Sequence, residues 1–253
     1  MKIKIIPIFC DNYVWIIINN NNCCIIIDPG DDVPILNALK KYNLHPVAIL
    51  LTHYHKDHIG GIKKLLKLYP KLYVFGPKEA MKLRTDKILK KNSYITILNY
   101  KFKIISTPGH TSNHISFYKK PHLFCGDVLF SGGCGKIENG MLIKMYISLK
   151  KITRLPQNTL IYPSHEYTLN NLKFSNSMYP KNKKISKFFK NVQNLRMKNK
   201  VTLPSTLKIE KEINPFLNLN KNFVKKSTKI HKDLTFELNI LSKLRKMKEE
   251  FQK

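Results

Sequence analysis

The sequence predicts an α+β fold in which two β-sheets pack face to face with helices outside, followed by an α-helical C-terminal unit. Short apolar runs of strand length recur up to about Tyr167 and are separated by turn residues. Segments with helical spacing lie between these runs, which favours sheets covered by helices. Beyond about Asn170 the strand-like runs stop, and amphipathic segments replace them. We therefore divide the chain into two domains, residues 1–170 and residues 171–253.

The first of these domains alternates strands and helices. The runs IKIIPIF and YVWIII flank Asp11 and Asn12, which predicts a β-hairpin. The run CCIIIDPG predicts a strand that ends in a turn, and HPVAILLTH predicts a strand buried on both faces. VPILNALKKYN and IKKLLKLYP have helical spacing, and Pro70 ends the second of them. Further strands are predicted from KLYVFGP, YITILNYKFKIISTPG, HISFYK, HLFCGDVLF and TLIYPSHEY.

The second domain carries helical signals. Pro204 and Ser205 suit the start of a helix, and the pair Asn214–Pro215 suits its end. Apolar residues then recur at four- and three-residue spacing, which predicts an amphipathic helix of about four turns that packs in a core. These residues are Ile230, Leu234, Leu238, Leu241 and Leu244.

Composition excludes several classes of protein. The longest apolar runs are strand-sized, so no membrane span is expected, and the N-terminus reads at once as a strand, so we expect a cytoplasmic location. Five cysteines without any CxxC spacing argue against a disulfide framework and against a cysteine-based metal site. The net charge of +29 raises the question of a polyanionic partner. Because the excess is mostly lysine spread along the chain among asparagines, nucleic acid is not expected as a partner, whereas a small anionic substrate is.

The run ILLTHYHKDHIGG concentrates metal-ligand residue types directly after an apolar strand. His53, His55, Asp57 and His58 lie within six positions, and two glycines follow. In an extended segment, residues two apart point the same way, so His53 and His55 are able to chelate one ion. Asp57 and His58, carried round the bend, are able to face a second ion.

Three later strands each end in one further residue of the same kind. His110 follows KIISTPG, Asp127 lies in LFCGDVLF, and His165 follows TLIYPS. We expect two divalent ions, each held by three ligands, with Asp127 bridging them. The expected ligands are His53, His55 and His110 for one ion, and Asp57, His58 and His165 for the other. A hydroxide shared between such ions would be a nucleophile at neutral pH, which indicates hydrolysis. Zinc is the expected metal, and iron and manganese suit the same ligand set.

The H-x-H-x-D-H run with the later His, Asp and His resembles the metallo-β-lactamase superfamily, which implies a four-layer αββα sandwich. More narrowly, the chain resembles the glyoxalase II family of hydroxyacylglutathione hydrolases nearly from end to end. The matching segments are IPIFCDNYVWII, THYHKDHIGG, TPGHTSNHISFY, CGDVLFSGGCGK, YPSHEYT, PSTLKIEKEINPF and LRKMKEEF. The last two cover the helical unit.

This resemblance implies a metal-dependent thioesterase acting on S-(2-hydroxyacyl)glutathione, such as S-D-lactoylglutathione, in the second step of methylglyoxal detoxification. The metal-bridged hydroxide would attack the thioester carbonyl, with Asp57 as both ligand and proton acceptor. It also implies that Lys136 and Tyr167 contact glutathione, and that Arg245 and Lys248 bind its glycine carboxylate.

One segment departs from the family pattern. Ile137, Glu138, Asn139 and Gly140 stand where relatives carry an aromatic pair, an acid and a glycine, so Glu138 replaces an expected tyrosine. We expect weaker or altered substrate binding from this anion. Asn218, where an arginine is common, is assigned no role.

Three other functions compete with the thioesterase. They are a metal-dependent nuclease of the same superfamily, a persulfide dioxygenase with one iron, and a non-enzymatic polyanion-binding protein. The helical unit with its Arg/Lys pair argues against the first two, and seven convergent ligands argue against the third.

Overall fold

The computed structural model describes residues 1–82, 86–219 and 234–251. They form two compact units, and both units are assembled from separate stretches of the chain. The first unit contains Met1–Ser106, Asn113–Gly126 and Tyr162–His165. The second contains Thr107–Ser112, Asp127–Ile161 and the described part of Glu166–Lys253.

Within the described residues, the strands are β1 (Lys2–Ile8), β2 (Asn12–Ile18), β3 (Cys23–Ile27), β4 (His45–Leu50), β5 (Tyr73–Gly76), β6 (Lys87–Ile88), β7 (Tyr94–Ile97), β8 (Tyr100–Ser106), β9 (Ile115–Lys119), β10 (His122–Gly126), β11 (Leu129–Phe130), β12 (Gly133–Cys134), β13 (Leu160–Pro163) and β14 (Ser205–Thr206). The helices are α1 (Asp32–Lys41), α2 (Lys56–Ile59), α3 (Ile62–Leu68), α4 (Leu142–Thr153), α5 (Thr168–Met178), α6 (Lys183–Met197), α7 (Leu207–Ile213) and α8 (Leu234–Phe251). Short 3-10 helices span Lys78–Lys82 and Pro215–Leu217.

The first unit contains a six-stranded mixed sheet with the order β1-β2-β3-β4-β5-β6. Strands β1 to β3 are antiparallel, and β3 to β6 are parallel. The predicted hairpin is present, with Ile8 opposite Asn12 across the turn. Strand β2 is buried along its whole length, as expected for a strand covered on both faces. Helices α1 and α3 cover one face, where Ile35 and Leu65 pack into the core.

The other face of this sheet meets a second sheet within the same unit. Strands β7 to β10 are antiparallel neighbours, and residues 162–163 of β13 lie beside β10. The indole N–H of Trp15 in β2 donates to the Pro163 carbonyl at 2.8 Å. The Trp15 ring also meets the Tyr162 ring edge-on, with centroids 4.9 Å apart. The predicted face-to-face packing of two sheets is therefore observed in this unit.

The second unit is mainly helical, and three details differ from expectation. Helix α4 was not predicted; it buries Met145, Leu149 and Ile152 on one side. Strand β14 lies in a region where no strand was expected. It forms because Ser205 pairs with Ile161 of β13. As a result, the helix expected to start at Pro204 and Ser205 begins later, at Leu207, where the Thr206 hydroxyl caps it. It ends before Asn214, as predicted.

The terminal helix α8 is present, and its buried face matches the predicted one in part. Leu241 and Leu244 are buried as expected, whereas Leu234 is 53% exposed. Glu237 and Ile240 are buried instead, which rotates the packed face. Ile230 lies outside the described residues. Among the described residues, no helix combines the length and the apolar character that crossing a membrane requires.

Candidate active site

The segment after β4 is fixed by one buried carboxylate, that of Asp28. Asp28 follows β3 in a left-handed backbone conformation, with φ of 53°. Its two oxygens accept hydrogen bonds from the backbone N–H (2.8 Å) and the hydroxyl (2.7 Å) of Thr52. Ser164, directly after β13, donates to the same carboxylate at 3.2 Å. Asp28 therefore ties together the ends of three strands in the first unit.

Three imidazoles of the run THYHKDH lie against one another directly beyond Thr52. The Thr52 hydroxyl donates to Asp28 and therefore accepts the Nδ1 proton of His53, 3.0 Å away. This leaves a lone pair on Nε2 of His53, which lies 3.1 Å from Nδ1 of His55. The rings of His53 and His58 have centroids 4.0 Å apart. The local fold thus places three imidazole rings, whose nitrogens are able to bind a metal ion, close together.

Asp57, His58 and His165 form a second group in the first unit, with one ligand atom of each within 4.8 Å of the others. Oδ2 of Asp57 lies 3.4 Å from Nε2 of His58 and 3.4 Å from Nε2 of His165. The Asn12 side chain donates to this oxygen at 2.8 Å. Residues more than one hundred positions apart in sequence are therefore neighbours here.

The surroundings of this group keep Asp57 ionised and His165 oriented. Burial alone would raise the pKa of Asp57, but the contacts with His165 and His58 and the hydrogen bond from Asn12 hold that pKa well below its usual range. Nδ1 of His165 lies 3.0 Å from a carboxylate oxygen of Asp11, so its proton is held there. The Nε2 atom of His165 is left facing Asp57. Metal-binding histidines are commonly oriented in this way by a carboxylate on the other ring nitrogen.

In the second unit, His110 and Asp127 form a similar pair. Nε2 of His110 lies 3.5 Å from Oδ2 of Asp127. Nδ1 of His110 lies 3.0 Å from the Lys136 carbonyl, which takes its proton. Gly135 permits this approach, since a Cβ there would lie 1.9 Å from the Asp127 carbonyl oxygen. The loop that carries Lys136 is therefore held directly over His110.

The donor chemistry of both units fits a divalent metal. In each unit a histidine gives its Nδ1 proton to an oxygen, and its Nε2 atom lies 3.4 or 3.5 Å from a carboxylate oxygen. In the first unit the Asn12 amide nitrogen also lies 3.3 Å from Nε2 of His165. An unprotonated Nε2 atom and a carboxylate oxygen are both acceptors and repel each other unless a proton or a cation lies between them. Imidazole nitrogens with carboxylate oxygens are ligands suited to zinc, iron and manganese. The five cysteines, all among the described residues, belong to neither group, and each is a free thiol.

A cationic cavity of about 410 Å³ lies within the second unit. The four residues expected to bind glutathione, Lys136, Tyr167, Arg245 and Lys248, all line it. Arg245 and Lys248 also hold their positions by donating to the backbone carbonyls of Cys134 (3.1 Å) and Asn170 (3.0 Å). Burial, followed by repulsion from Arg245, lowers the pKa of Lys248 to about 8. Three cations and one anion line the cavity, since Glu249 also lines it and lies 3.4 Å from Nε of Arg245.

Helix α8, which supplies two of these cations, is anchored by a buried carboxylate. Glu237 accepts hydrogen bonds from the Tyr146 hydroxyl and from Lys150, whose Nζ lies 2.8 Å away. Burial would lower the pKa of Lys150, but the bond to Glu237 outweighs it and raises that pKa. Helix α4 and helix α8 are therefore joined by a charged network inside the second unit.

The loop between Asp127 and Lys136 is held by another buried carboxylate, that of Glu210 in α7. One oxygen accepts from the hydroxyls of Ser131 (2.7 Å) and Ser205 (2.5 Å). The other accepts from the backbone N–H of Gly132 (2.8 Å) and the side chain of Asn214 (3.2 Å). Burial raises the pKa of Glu210, and these hydrogen bonds oppose the rise.

Several of these residues escaped the sequence analysis. Asp28 and Glu237 are buried carboxylates whose partners lie far away in sequence, so no local pattern marks them. Glu210 is a third, with distant partners in Ser131 and Gly132 and near ones in Ser205 and Asn214. A weak signal existed for Glu210, which stands within the segment PSTLKIEKEINPF that carried the family resemblance. Asp11 and Asn12 were assigned to a hairpin turn, although their side chains also contact the histidine and carboxylate group.

Comparisons with known proteins agree with this description. The family model described as Metallo-beta-lactamase superfamily matches residues 8–165, and the one described as Hydroxyacylglutathione hydrolase C-terminus matches residues 166–251. The hydroxyacylglutathione hydrolase of Buchnera aphidicola subsp. Baizongia pistaciae (strain Bp) is 51% identical over 250 residues, covering 99% of this chain and 100% of that protein.

Solved structures are similar in fold. ETHE1 from Myxococcus xanthus aligns with a TM-score of 0.69 at 21% identity, covering 96% of this chain and 91% of that one. BLEG-1 B3 metallo-beta-lactamase aligns with a TM-score of 0.65 at 24% identity, covering 85% of this chain and 99% of that one. The predicted α+β fold class and the family resemblance are confirmed. This chain belongs to the hydroxyacylglutathione hydrolases, a family of the metallo-β-lactamase superfamily.

Proposed function

We propose that the chain is a metal-dependent thioesterase that hydrolyses S-(2-hydroxyacyl)glutathione to glutathione and a 2-hydroxy acid. With methylglyoxal as the original aldehyde, the substrate is S-D-lactoylglutathione and the acid is D-lactate. The observation that carries this proposal is the 51% identity to a hydroxyacylglutathione hydrolase over the whole chain. The histidine and carboxylate groups and the cationic cavity supply the chemistry that such a reaction needs.

The proposed ligands are those expected from the sequence. His53, His55 and His110 would hold one divalent ion, Asp57, His58 and His165 the other, and Asp127 would bridge them. The superfamily binds divalent metals, and the donor atoms described above suit two such ions. We propose zinc, with iron or manganese as alternatives. Bound metal lowers the pKa of water to about 7 and polarises a carbonyl, which supplies the nucleophile and stabilises the developing negative charge.

Asp57 would act both as a metal ligand and as a proton acceptor. Its Oδ2 is occupied by Asn12 and faces two imidazoles, which leaves Oδ1 as the oxygen available to take a proton from the attacking water. Because its pKa is held low, Asp57 would keep that proton only briefly. The leaving thiolate needs no strong acid, since a thiol has a pKa of about 8.5.

The glutathione part of the substrate would lie in the cationic cavity of the second unit. Arg245 and Lys248, three residues apart on α8, would bind the glycine carboxylate, and Lys136 and Tyr167 would contact the rest of the peptide. Arginine suits this task because its planar fork matches a carboxylate. The charge of this cavity supports a small anionic substrate.

Three further proposals concern the domains, the cellular location and the partners of this chain. We propose residues 1–170 as the catalytic domain and residues 171–253 as the substrate-binding domain. We propose a cytoplasmic location, where glutathione thioesters form. We do not propose nucleic acid as a partner, because the cationic residues that the site uses line one small cavity.

The direct test is hydrolysis of S-D-lactoylglutathione by the purified, metal-loaded chain, followed as release of free thiol. We expect turnover that depends on the metal and stops in His53→Ala. A metal-loaded, folded protein that leaves this thioester intact would rule out the proposal.

A further inference from the structure

A second cavity, distinct in chemistry from the cationic one, lies within the first unit. It measures about 530 Å³ and adjoins Asp57. Phe9 and Cys10 of the β1–β2 turn line it, together with Gly30 and Gly60. Of the described residues that line it, Lys56 alone is cationic.

The turn that forms this cavity is fixed to the metal-ligand group. Asn12 donates to Asp57 at 2.8 Å, and Asp11 lies 3.0 Å from His165. The backbone N–H of Tyr13 donates to the Ser164 carbonyl at 2.7 Å. The turn therefore cannot shift without disturbing the groups beside Asp57, and the cavity is a built feature.

Phe9 has an unusual conformation at this place. Its φ is 50°, in the left-handed region that bulky residues rarely adopt, and its side chain is 59% exposed. Backbone strain of this kind is concentrated at functional sites. An exposed aromatic ring held by a strained turn next to a reactive carboxylate points to a ligand that covers the ring.

The two glycines that line the cavity, Gly30 and Gly60, lie close to neighbouring backbone atoms. A Cβ on Gly30 would lie 1.8 Å from the Asp57 carbonyl oxygen, and a Cβ on Gly60 would lie 2.4 Å from the Gly30 carbonyl oxygen. Both positions therefore require glycine. With no side chain from either glycine, the apolar contacts offered to a ligand come mainly from Phe9 and Cys10.

Resting on the proposed function, we infer that this cavity takes the acyl group of the thioester and that Phe9 determines which acyl groups are accepted. Under the proposed function, Asp57 lies beside the thioester carbonyl, and this cavity adjoins Asp57. The lactoyl group is far smaller than the cavity, so there is room for larger 2-hydroxyacyl groups. An apolar substituent such as a phenyl ring would pack against Phe9 and be selected over a methyl group.

The test compares S-D-mandeloylglutathione, which carries a phenyl ring, with S-D-lactoylglutathione, which carries a methyl group. Phe9→Ala is expected to lower the ratio of kcat/KM for the mandeloyl over the lactoyl substrate about tenfold, as for loss of one apolar contact. Phe9→Leu, which keeps apolar bulk, should restore most of the ratio. Tyr73→Ala is the matched control, since Tyr73 is also 59% exposed in the first unit but does not line the cavity.

A binding measurement separates this inference from the proposed function. S-methylglutathione and S-benzylglutathione are thioethers that cannot be hydrolysed, and their dissociation constants are measured directly by calorimetry. We expect tighter binding of the benzyl compound by the wild type and loss of that advantage in Phe9→Ala. An advantage that survives in Phe9→Ala, or falls equally in Tyr73→Ala, would overturn the inference. Failure of the wild type to hydrolyse either thioester would count against the proposed function, and the binding comparison would still decide the role of Phe9.

Discussion

Removing the buried carboxylate of Glu210 should destabilise the protein in a way that depends on the replacement. Glu210→Ala leaves three donors without this acceptor, and one of them, the Gly132 N–H, cannot turn away as the hydroxyls of Ser131 and Ser205 can. The Asn214 amide keeps two other acceptors, the carbonyls of Phe130 and Gly133. Each buried donor left unsatisfied costs about 1–3 kcal/mol, so the three donors together account for about 3–5 kcal/mol at the lower end of that range. We therefore expect Glu210→Ala to lower the free energy of unfolding by about 3–5 kcal/mol.

Glu210→Gln should be much milder. Its amide oxygen is able to accept from Gly132 and Asn214, while its NH₂ group faces the hydroxyls of Ser131 and Ser205, which rotate to accept. The loss should be about 1 kcal/mol or less, because burial disfavours the charge that glutamine lacks. Urea unfolding of both variants at neutral pH measures the difference. Equal losses for the two variants, or a loss below about 1 kcal/mol for Glu210→Ala, would refute this reasoning.

The pH dependence of the same comparison follows from the raised pKa of Glu210. Between its ordinary pKa of 4.5 and the raised value, the folded state holds a proton that the unfolded state has released. Stability contributed by Glu210 therefore falls as pH rises through this window. The stability of the wild type relative to Glu210→Gln should accordingly improve as the pH is lowered towards 4.5.

Three further predictions concern ligand binding. Arg245→Ala should raise KM for glutathione thioesters roughly 10- to 100-fold with unchanged metal content, because a hydrogen bond to a charged group is worth about 1.5–3 kcal/mol. Lys246→Ala is the control. An unchanged KM in Arg245→Ala would show that Arg245 does not bind the substrate. Because the pKa of Lys248 is lowered to about 8, its charge is lost as pH rises through that value, so KM should increase above it. Lys248→Arg, which stays charged, should flatten this rise. The same dependence of KM on pH in both proteins would contradict the role of Lys248. Asp11→Ala should weaken metal affinity about 10- to 100-fold in a chelator competition, because His165 loses the hydrogen-bond acceptor at its Nδ1 atom. Equal metal affinities of the wild type and Asp11→Ala would show that this contact does not matter.

Much of the first unit could be predicted because its signals are local. The alternating runs gave the strands, the helical spacing gave α1 and α3, and Asp11 marked the first hairpin. The clustering of His53 with His58 follows from residues close together in sequence. The neighbours Asp57 and His165 were predicted because each follows a predicted strand and each is a metal-ligand residue type.

The parts that were missed depend on distant contacts. Helix α4 contains several β-branched isoleucines, which weaken its helical signal although Met145 and Leu149 pack well. The buried face of α8 is set by Glu237, a charged residue that hydropathy places at the surface. The exposed Leu234 shows the same limit, since apolar spacing alone does not reveal which face finds a partner.

We propose that five imidazoles and two carboxylates of this chain hold two divalent ions that activate water beside a thioester. The most direct measurement combines elemental analysis with thioesterase rates during removal and return of metal. We predict two ions per wild-type chain, loss of hydrolysis on chelation, recovery on reloading, and close to one ion in a folded His165→Ala variant. Full hydrolysis of S-D-lactoylglutathione by the metal-free protein would contradict the account.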